Sequence, residues 1–414
     1  MKRLLGRAGA RDDHALADPY PLWNRLREEA PVHRLGPQIL VSRYDDVKVL
    51  CRDASDRYGF SYGQSEYARQ YAARLPADHA SAFHELWGFQ GMWMGMTTGD
   101  YHARLRRVAH RAFTPARVAE LRESMRRDTA EMLTPLIERD RADIMEVAYR
   151  LPLKVVLDLL DCPQEDLERL DALSTTLNNG LNPHADADAI MSAHEAMRAL
   201  MAYVRAWADD ERAASERTDL VAALLDARAH DLLTEDELAA MFVMLLFAGH
   251  ETTVNLIGHG LHQLLLYRDQ WRLLCADPTL WPTAIDELLR FVSPVQFLVR
   301  PAAEPHEFGG VEVGVGDMLV PVLAAANRDP AVFDAPDALD VGRAKVREHL
   351  AFGFGAKFCL GNAIARMQGI AVLGELARRF PDMELATDEL HYTGTPALRQ
   401  LEKLPVVLGT AGGG

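Results

Sequence analysis

A cysteine in a glycine-rich loop near the C-terminus is the residue of this chain best suited to chemistry. Cys359 lies in the run Phe352-Gly-Phe-Gly-Ala-Lys-Phe-Cys-Leu-Gly361, ahead of a segment with a helical pattern. Glycine lets the backbone approach a bound group closely, because it has no side chain to collide with it. A helix N-terminus and the neighbouring Lys357 would both stabilise a thiolate. The loop is therefore suited to presenting a sulfur ligand to a metal.

A second group of candidate residues interrupts a long apolar segment. Thr234-Glu-Asp-Glu237 has the form of a capping box, which predicts that a helix starts there. Ten consecutive apolar residues follow at 239–248, and then the polar run Gly249-His-Glu-Thr-Thr253. A buried carboxylate is costly unless it is partnered or used. We expect the Thr252 hydroxyl to bond the carbonyl of Ala248, which would open the helix locally.

The cysteine loop resembles the haem-ligand loop of the cytochrome P450 family. Phe352, Gly355, the basic Lys357, Cys359 and Gly361 stand at that family's spacing. In the family, the cysteine sulfur is the proximal ligand of the haem iron. The resemblance implies protohaem (haem b) with its iron as the cofactor. The chain departs from the pattern at Lys357, where many members carry His or Arg, and a lysine lacks the planar, bidentate geometry of arginine.

The polar run in the apolar helix resembles the oxygen-activation motif of the same family. Ala248 opens the matching Ala-Gly-x-Glu-Thr-Thr pattern. In the family the alcohol, here Thr252, steadies oxygen, and the acid, here Glu251, helps to deliver protons. A zinc site of the H-E-x-x-H type is excluded, because its second histidine would stand where the chain has Val254. The remaining alternative is a solvated kink without a chemical role.

The resemblance also implies cations that answer the negative charge of the two haem propionates. His102 and Arg106 stand about one helical turn apart on the same helix face. Arg300 is expected to end a strand, and His349 precedes the cysteine loop. Each corresponds in place and order to a propionate contact of the family, as the basic Lys357 does. Taken singly, each is more typical of a surface cation than of a ligand; the four together, in the family's order, favour the joint interpretation.

Glu287 and Arg290 resemble the family's Glu-x-x-Arg motif, with Arg343 as the third member of a triad. On its own, an ion pair at i, i+3 on a helix is a surface feature with a small effect on stability. The resemblance implies instead a structural lock on the side of the cysteine loop. The triad is therefore assigned an architectural role and no catalytic one.

The resemblance implies a substrate pocket formed by several separate segments. The segment 56–98 is rich in aromatic residues and methionine, and we expect it to be a substrate-recognition loop. Gln296 is a candidate polar handle for the substrate. The expected lining residues are otherwise apolar: Trp93, Leu245, Val295 and Phe297. A largely apolar or aromatic small molecule follows as the expected substrate class.

These candidates need a scaffold, and the sequence predicts a mainly α fold with a small β portion. Helical patterns dominate from Asp100 to about Val292, with turns expected at 178–180 and 182–183. Short strands are expected near 31–42 and 295–316. No repeat or linker divides the chain.

We therefore expect a single domain of residues 1–414. Within it, 234–266 is the oxygen-activation helix, and 349–380 contains the haem-ligand loop and the helix after it. The resemblance covers roughly residues 20–410 and implies the cytochrome P450 fold, with the long central helix across the haem.

Charge and composition exclude several classes of protein. A net charge of −15 argues against nucleic acid as a partner. The four cysteines lie far apart without a C-x-x-C pair, which disfavours a disulfide framework, a zinc site or an iron–sulfur cluster. The N-terminus lacks the apolar core of a signal peptide, and no continuous apolar run approaches the roughly 20 residues that cross a bilayer. We expect a monomeric, cytoplasmic protein that binds no membrane.

The expected function is a haem-thiolate monooxygenase that activates O₂. Electrons should come from separate partners, a ferredoxin and a ferredoxin reductase, because no nucleotide-binding motif is complete. Gly353-Phe-Gly355 begins a G-x-G-x-x-G pattern, but Phe358 takes the place of the third glycine. A basic face of Arg104, Arg107 and Arg111 is the candidate docking site for an acidic donor. Two alternatives remain: the same oxygen chemistry used for oxidative coupling or desaturation, and a non-catalytic haem-based sensor.

Overall fold

Helices make up most of the chain, as the sequence predicts. The computed structural model describes residues 16–53, 55–58, 65–110, 115–181, 185–209 and 219–409. The helices of this part, numbered in chain order, are α1 (Tyr20–Glu29), α2 (Tyr44–Arg52), α3 (Glu66–Ala72), α4 (Ala77–Gly91), α5 (Gly99–His110), α6 (Pro115–Leu133), α7 (Met145–Leu159), α8 (Leu167–Gly180), α9 (Ala187–Ala208), α10 (Asp219–Ala229), α11 (Glu235–Leu266), α12 (Arg268–Ala276), α13 (Trp281–Val292), α14 (Leu323–Ala326) and α15 (Asn362–Arg379).

Short strands form small sheets beside the helices. They are β1 (Val32–Leu35), β2 (Gln38–Val41), β3 (Arg141–Asp143), β4 (Arg300–Pro301), β5 (His306–Phe308), β6 (Val311–Val313), β7 (Met318–Pro321), β8 (Glu384–Leu385), β9 (Tyr392–Gly394), β10 (Arg399–Leu401) and β11 (Pro405–Val407). The largest sheet has the order β1-β2-β7-β4, in which β2 and β7 are parallel and the other pairs are antiparallel. The hairpins expected near 31–42 and 309–316 are present as β1–β2 and β5–β6.

The longest described helix, α11, begins at the predicted capping box and runs through the core. Thr234 Oγ1 accepts the amide of Glu237, and the Glu237 carboxylate accepts the amide of Thr234. The helix contacts α7, α9, α13 and α15, which bury most of its apolar surface. Its length and composition would also allow it to cross a membrane, but 67% of the apolar window is buried inside this fold. It is therefore a core helix here.

Much of the segment 56–98, for which the sequence predicts a substrate-recognition loop, is helical. In this segment α3 and α4 are helical, and residues 59–64 lie outside the described part of the chain. The side chains of Phe83, Leu86, Trp87 and Phe89 on α4 are buried. These residues lie on one face of α4, whereas Ser81, His84, Glu85 and Gly88 between them are exposed, which is the pattern of an amphipathic helix. The expectation of a loop is therefore wrong for the helical part of this segment.

The turn expected at residues 178–180 is also wrong, because α8 continues through Gly180. A Cβ atom at Gly180 would lie 2.2 Å from the Cβ of Ala193 on α9. The glycine therefore permits a close approach of two helices, and it does not reverse the chain. The second expected break, at 182–183, lies outside the described residues.

Candidate active site

The backbone of the cysteine loop depends on its glycines. Gly353 and Gly355 have φ angles of +70° and +76°, a region that residues with side chains rarely adopt. A Cβ atom at Gly355 would also lie 3.0 Å from the Cα of Arg52, so this glycine lets the loop pack on α2. The amide of Cys359 donates to the carbonyl of Phe352 at 2.9 Å, which closes the loop just before α15.

The sulfur of Cys359 is a single potential ligand near positive charge. Burial raises the pKa of this thiol, while the amide of Gly361 and the guanidinium groups of Arg106 and Arg366 lower it. The positive charge that favours the thiolate thus comes from Arg106 and Arg366. The sequence had instead suggested Lys357 as its source. Among the described residues, no three His, Cys, Asp or Glu side chains converge to hold a metal. A metal bound to Cys359 would therefore need further ligands from a cofactor.

Cations from separate segments converge beside this loop. Burial, and with it the positive charges of Lys357, Arg106 and Arg300, lower the pKa of His102 to about 4, so at neutral pH its imidazole is a neutral group beside three cations. Burial and the charge of Arg300 lower the pKa of Lys357 to about 8. Arg300 is the first residue of β4, so the prediction that a strand ends at Arg300 is wrong. The four groups lie within electrostatic reach of one another, although they are far apart in sequence.

Within the described part of the chain, no carboxylate forms an ion pair with this cation cluster. Arg106 Nη2 donates to the carbonyl of Phe358 at 2.7 Å, and Lys357 Nζ to that of Gly95 at 3.3 Å. Arg300 donates to two carbonyls of the α2 region, and its Nε is buried without a partner. Buried cations require compensating negative charge or acceptors. The cluster therefore fits a ligand with two negative charges, such as the propionates of haem.

His349, a further predicted propionate contact, is engaged by other groups. Its Nδ1 accepts the amide of Ala351 at 3.2 Å, so Nε2 carries the hydrogen and lies 3.3 Å from the Asp286 carboxylate. That carboxylate also accepts from Arg366 at 2.6 Å and from Arg347 at 3.3 Å. Both ring nitrogens of His349 are thus used in linking the cysteine loop to α13. Its contact with a propionate stays a prediction.

The polar run of α11 lies on an accessible strip of an otherwise buried helix. Leu245, Ala248 and Thr252 share one helix face, and each is at least partly accessible, whereas Leu246 and Thr253 are buried. The Thr252 hydroxyl donates to the carbonyl of Ala248 at 2.9 Å, which confirms that prediction. The strip is therefore accessible where the rest of the helix is buried, and we expect a cleft there, to which Thr252 presents one alcohol among apolar side chains.

Glu251 meets two residues of α8 that the sequence analysis did not select. Asn178 Nδ2 donates to Glu251 Oε1 at 3.1 Å. Burial raises the pKa of Glu251 to about 7; the Asn178 bond opposes this rise and the negative charge of Asp171 adds to it. A carboxyl group that titrates near neutral pH can both take up and release protons. Nothing in the local sequence around Glu251 indicates these partners, because they come from another helix.

Glu287, Arg290 and Arg343 come together in the core. Arg290 Nε lies 2.7 Å and Arg343 Nε 3.0 Å from the Glu287 carboxylate. The side chains of Glu287 and Arg290 are 0% exposed. The network ties α13 to the irregular segment that precedes the cysteine loop, and it does not reach the accessible strip of α11.

The residues expected to line a substrate pocket lie in different surroundings. The Trp93 ring packs 5.4 Å from the ring of Phe247 on α11, and Leu245 lies on the accessible strip. Val295 is half-buried in a small apolar cluster with β2 and β7 residues. Phe297 packs edge-on against a tryptophan of α1, at 6.4 Å between ring centroids. Substrate contact by these four residues stays a prediction.

Gln296 is not free to act as a polar handle. Its Oε1 accepts the indole N–H of Trp23 at 3.1 Å, and its Nε2 donates to the carbonyls of Val292 and Ser293. Because every polar atom of the side chain has an internal partner, Gln296 fixes the course of the segment after α13. The earlier expectation of a substrate handle is wrong.

The basic face expected on and after α5 is smaller than the sequence indicates. Arg104 forms an ion pair with Glu237 of α11 at 2.6 Å. Arg107 is exposed. Arg111 lies outside the described residues.

Comparison with known proteins identifies the family of this chain. The family model described as cytochrome P450 matches residues 172–272 and 279–391. Cytochrome P450 107B1 of Saccharopolyspora erythraea is 37% identical over 412 residues, which cover 95% of this chain and 96% of that protein. The vitamin D(3) 25-hydroxylase of Pseudonocardia autotrophica is 36% identical over 403 residues, with 95% and 94% covered. The crystal structure of CalO2 superimposes with a TM-score of 0.87 at 30% identity, covering 97% of this chain and 98% of CalO2. This chain belongs to the cytochrome P450 family.

Proposed function

We propose that this haem-thiolate monooxygenase binds protohaem IX and hydroxylates a largely apolar or aromatic small molecule. The observation that carries the proposal is the cation cluster of Arg106, Arg300 and Lys357, with the neutral His102 beside it. It lies beside Cys359 and has no ion-pair partner among the described residues. Two propionates on a ring whose iron binds Cys359 would supply the missing negative charge.

Each candidate residue has a distinct task in this proposal. When bound, the haem supplies oxygen activation and the oxidation of the substrate. Cys359 would hold its iron. Thr252, held by the carbonyl of Ala248, offers a hydroxyl to the cleft, and Glu251 stores a proton one residue away. Proton delivery therefore starts from a carboxyl group that is largely protonated below neutral pH.

The accessible strip of α11 supports the substrate class. Apart from Thr252, its side chains are apolar, and Trp93 and Phe247 add aromatic surface. Such a lining favours ligands that are themselves apolar or aromatic. The name of the vitamin D(3) 25-hydroxylase states hydroxylation for one relative, which supports hydroxylation over coupling or desaturation here.

Electrons would come from a ferredoxin and its reductase, with the protein acting in the cytoplasm. In the proposed docking face, Arg104 is paired with Glu237, whereas Arg107 is exposed and takes no part in that pair. The Arg107→Glu variant should slow reduction by ferredoxin, with the largest effect at low salt. An unchanged rate of reduction would exclude this face as the docking site.

The proposed function is tested first by spectroscopy. The reduced CO complex of the wild-type protein should show a thiolate-type spectrum, and Cys359→Ala should lose it. A screen of apolar and aromatic compounds should then find ligands that shift the haem spin state. Products that gain one oxygen atom would support hydroxylation, whereas loss of two hydrogens would indicate desaturation. A folded wild-type protein without a thiolate-type spectrum would refute the proposal, and the absence of turnover with any ligand would favour a sensor.

A further inference from the structure

A histidine beside the proposed proton donor lies between two hydrogen-bond acceptors. His250 on α11 is buried, and its Nε2 lies 3.1 Å from the carbonyl oxygen of Tyr149 on α7. A carbonyl only accepts, so Nε2 carries the hydrogen of the imidazole. The other ring nitrogen, Nδ1, lies 3.7 Å from the carboxylate Oδ1 of Asp171 on α8.

The His250–Asp171 pair can take up a proton. Because Nε2 donates to Tyr149, Nδ1 is the free acceptor of the imidazole, and a proton bound there would face the Asp171 carboxylate directly or through a water molecule. Burial lowers the pKa of His250, and the charge of Asp171 and the Tyr149 bond oppose that shift. The Asp171 side chain is 42% exposed, whereas that of His250 is 9% exposed. The pair thus connects a buried proton site with solvent.

Glu251 is coupled to the same carboxylate. The negative charge of Asp171 adds to the rise in the pKa of Glu251. Asn178 stands seven positions after Asp171, so both lie on one face of α8, and Asn178 bonds Glu251 at 3.1 Å. From α7, Tyr149 faces the same groups: burial raises the pKa of its hydroxyl, and the charges of Glu251 and Asp171 raise it further. One face of α8 therefore serves both Glu251 and His250 of α11.

We propose that Asp171 and His250 form a surface-connected proton-relay pair that refills Glu251, while Asn178 holds the Glu251 carboxyl group in place. The proposal rests on the proposed function. In each cycle, Glu251 passes its proton to the Thr252 side and becomes a carboxylate. It then takes a proton from the pair through water, and the pair takes one from bulk solvent. The net transfer is one proton from solvent, and the charges of all three groups are restored.

Asp171, His250 and Asn178 are positioning residues in this scheme, because they act through Glu251. The decisive variant is Asp171→Asn, which removes the exposed proton acceptor and keeps the side-chain size. Its matched control is Glu168→Gln, which removes one exposed negative charge from the first turn of the same helix. Both holoenzymes are compared with wild type, with a substrate from the ligand screen, for product formed and hydrogen peroxide released per O₂ consumed.

We expect Asp171→Asn to lower product per O₂ by about tenfold, which is less than the roughly 10²–10⁴-fold contribution of a group that itself transfers the proton, because Asp171 acts through Glu251. The pH at which coupling falls to half should also move down, because the charge that raises the pKa of Glu251 is gone. Glu168→Gln should behave like wild type in both respects. His250→Gln keeps a donor for the Tyr149 carbonyl but lacks Nδ1, and it should show the same loss of coupling.

A second readout does not depend on turnover. In the reduced CO complex, infrared spectroscopy should show a protonated carboxyl band that is absent in Glu251→Gln and disappears as the pH rises through about 7. Asp171→Asn should shift this titration to lower pH, and Glu168→Gln should not. Wild-type coupling and an unshifted carboxyl titration in Asp171→Asn would overturn the proposal, as would wild-type behaviour of His250→Gln. A wild-type enzyme that never turns over would instead refute the proposed function.

Discussion

The Glu287→Gln substitution removes the carboxylate that two buried guanidinium groups share. In the wild-type protein this carboxylate accepts from Arg290 at 2.7 and 2.8 Å, from Arg343 at 3.0 Å, and from the amide of Asp340 at 3.0 Å. Glutamine keeps the size and one acceptor oxygen, but it leaves two positive charges uncompensated in the core. Breaking a buried ion pair from one side costs about 3–5 kcal/mol. Total stabilities are about 5–15 kcal/mol, so the fold should lose a large part of its free energy of unfolding.

Urea denaturation of the holoenzyme, followed by far-ultraviolet circular dichroism, measures this loss. The chain offers a matched control in Glu123→Gln, because Glu123 and Arg126 of α6 have the same i, i+3 spacing. Their nitrogen–oxygen distance is 3.1 Å, but the arginine and glutamate side chains are 74% and 54% exposed. Exposed pairs contribute little, so the control should unfold at the wild-type urea concentration. Equal shifts of the unfolding midpoint in the two variants would refute the reasoning from burial.

Three further predictions concern single side chains near the site. Folded Glu251, with a pKa of about 7, binds its proton more tightly than the unfolded chain with a pKa near 4.5. Stability should therefore fall as the pH rises from about 4.5 to about 7, and Glu251→Gln should lack this part of the pH dependence in urea titrations. Gly355→Ala should lower the unfolding midpoint, because its φ is +76° and the new Cβ would lie 3.0 Å from the Cα of Arg52. Gly88→Ala, in the middle of α4 with open space around it, should instead raise stability by about 0.5–1 kcal/mol. Arg300→Leu should speed the transfer of haem to a scavenging apoprotein, because the cation cluster proposed to bind the propionates loses one charge. An unchanged transfer rate would exclude contact between Arg300 and a propionate.

Features that involve neighbouring positions could be predicted from the sequence. The capping box at Thr234 and the bond from Thr252 to Ala248 each join residues three or four positions apart. Helix geometry alone brings such residues together, so residue type and spacing suffice to predict them. The positive φ angles of Gly353 and Gly355 belong to the same class, because only the local backbone decides them.

Features that depend on how helices pack could not be predicted in the same way. Gly180 has the residue type of a turn, but its role is to admit Ala193 of the neighbouring helix. Gln296 has the residue type of a ligand contact, but Trp23 occupies its acceptor oxygen. The partners of Glu251 come from α8, and nothing in the sequence marks which face of that helix meets α11. In each case the sequence shows the type of the side chain, but it does not show which residue of another helix that side chain contacts.

The parallel pairing of β2 with β7 has a consequence for how the protein is made. Gln38 of β2 pairs with Met318 of β7, so most of the chain must be synthesised before this second partner of β2 exists. Contacts between distant positions form slowly, and an unpaired strand edge is prone to aggregation meanwhile. β4, which carries Arg300, joins the sheet through β7. If Arg300 anchors the cofactor as proposed, this anchor is completed at a late step of biosynthesis, and haem captured earlier would lack it.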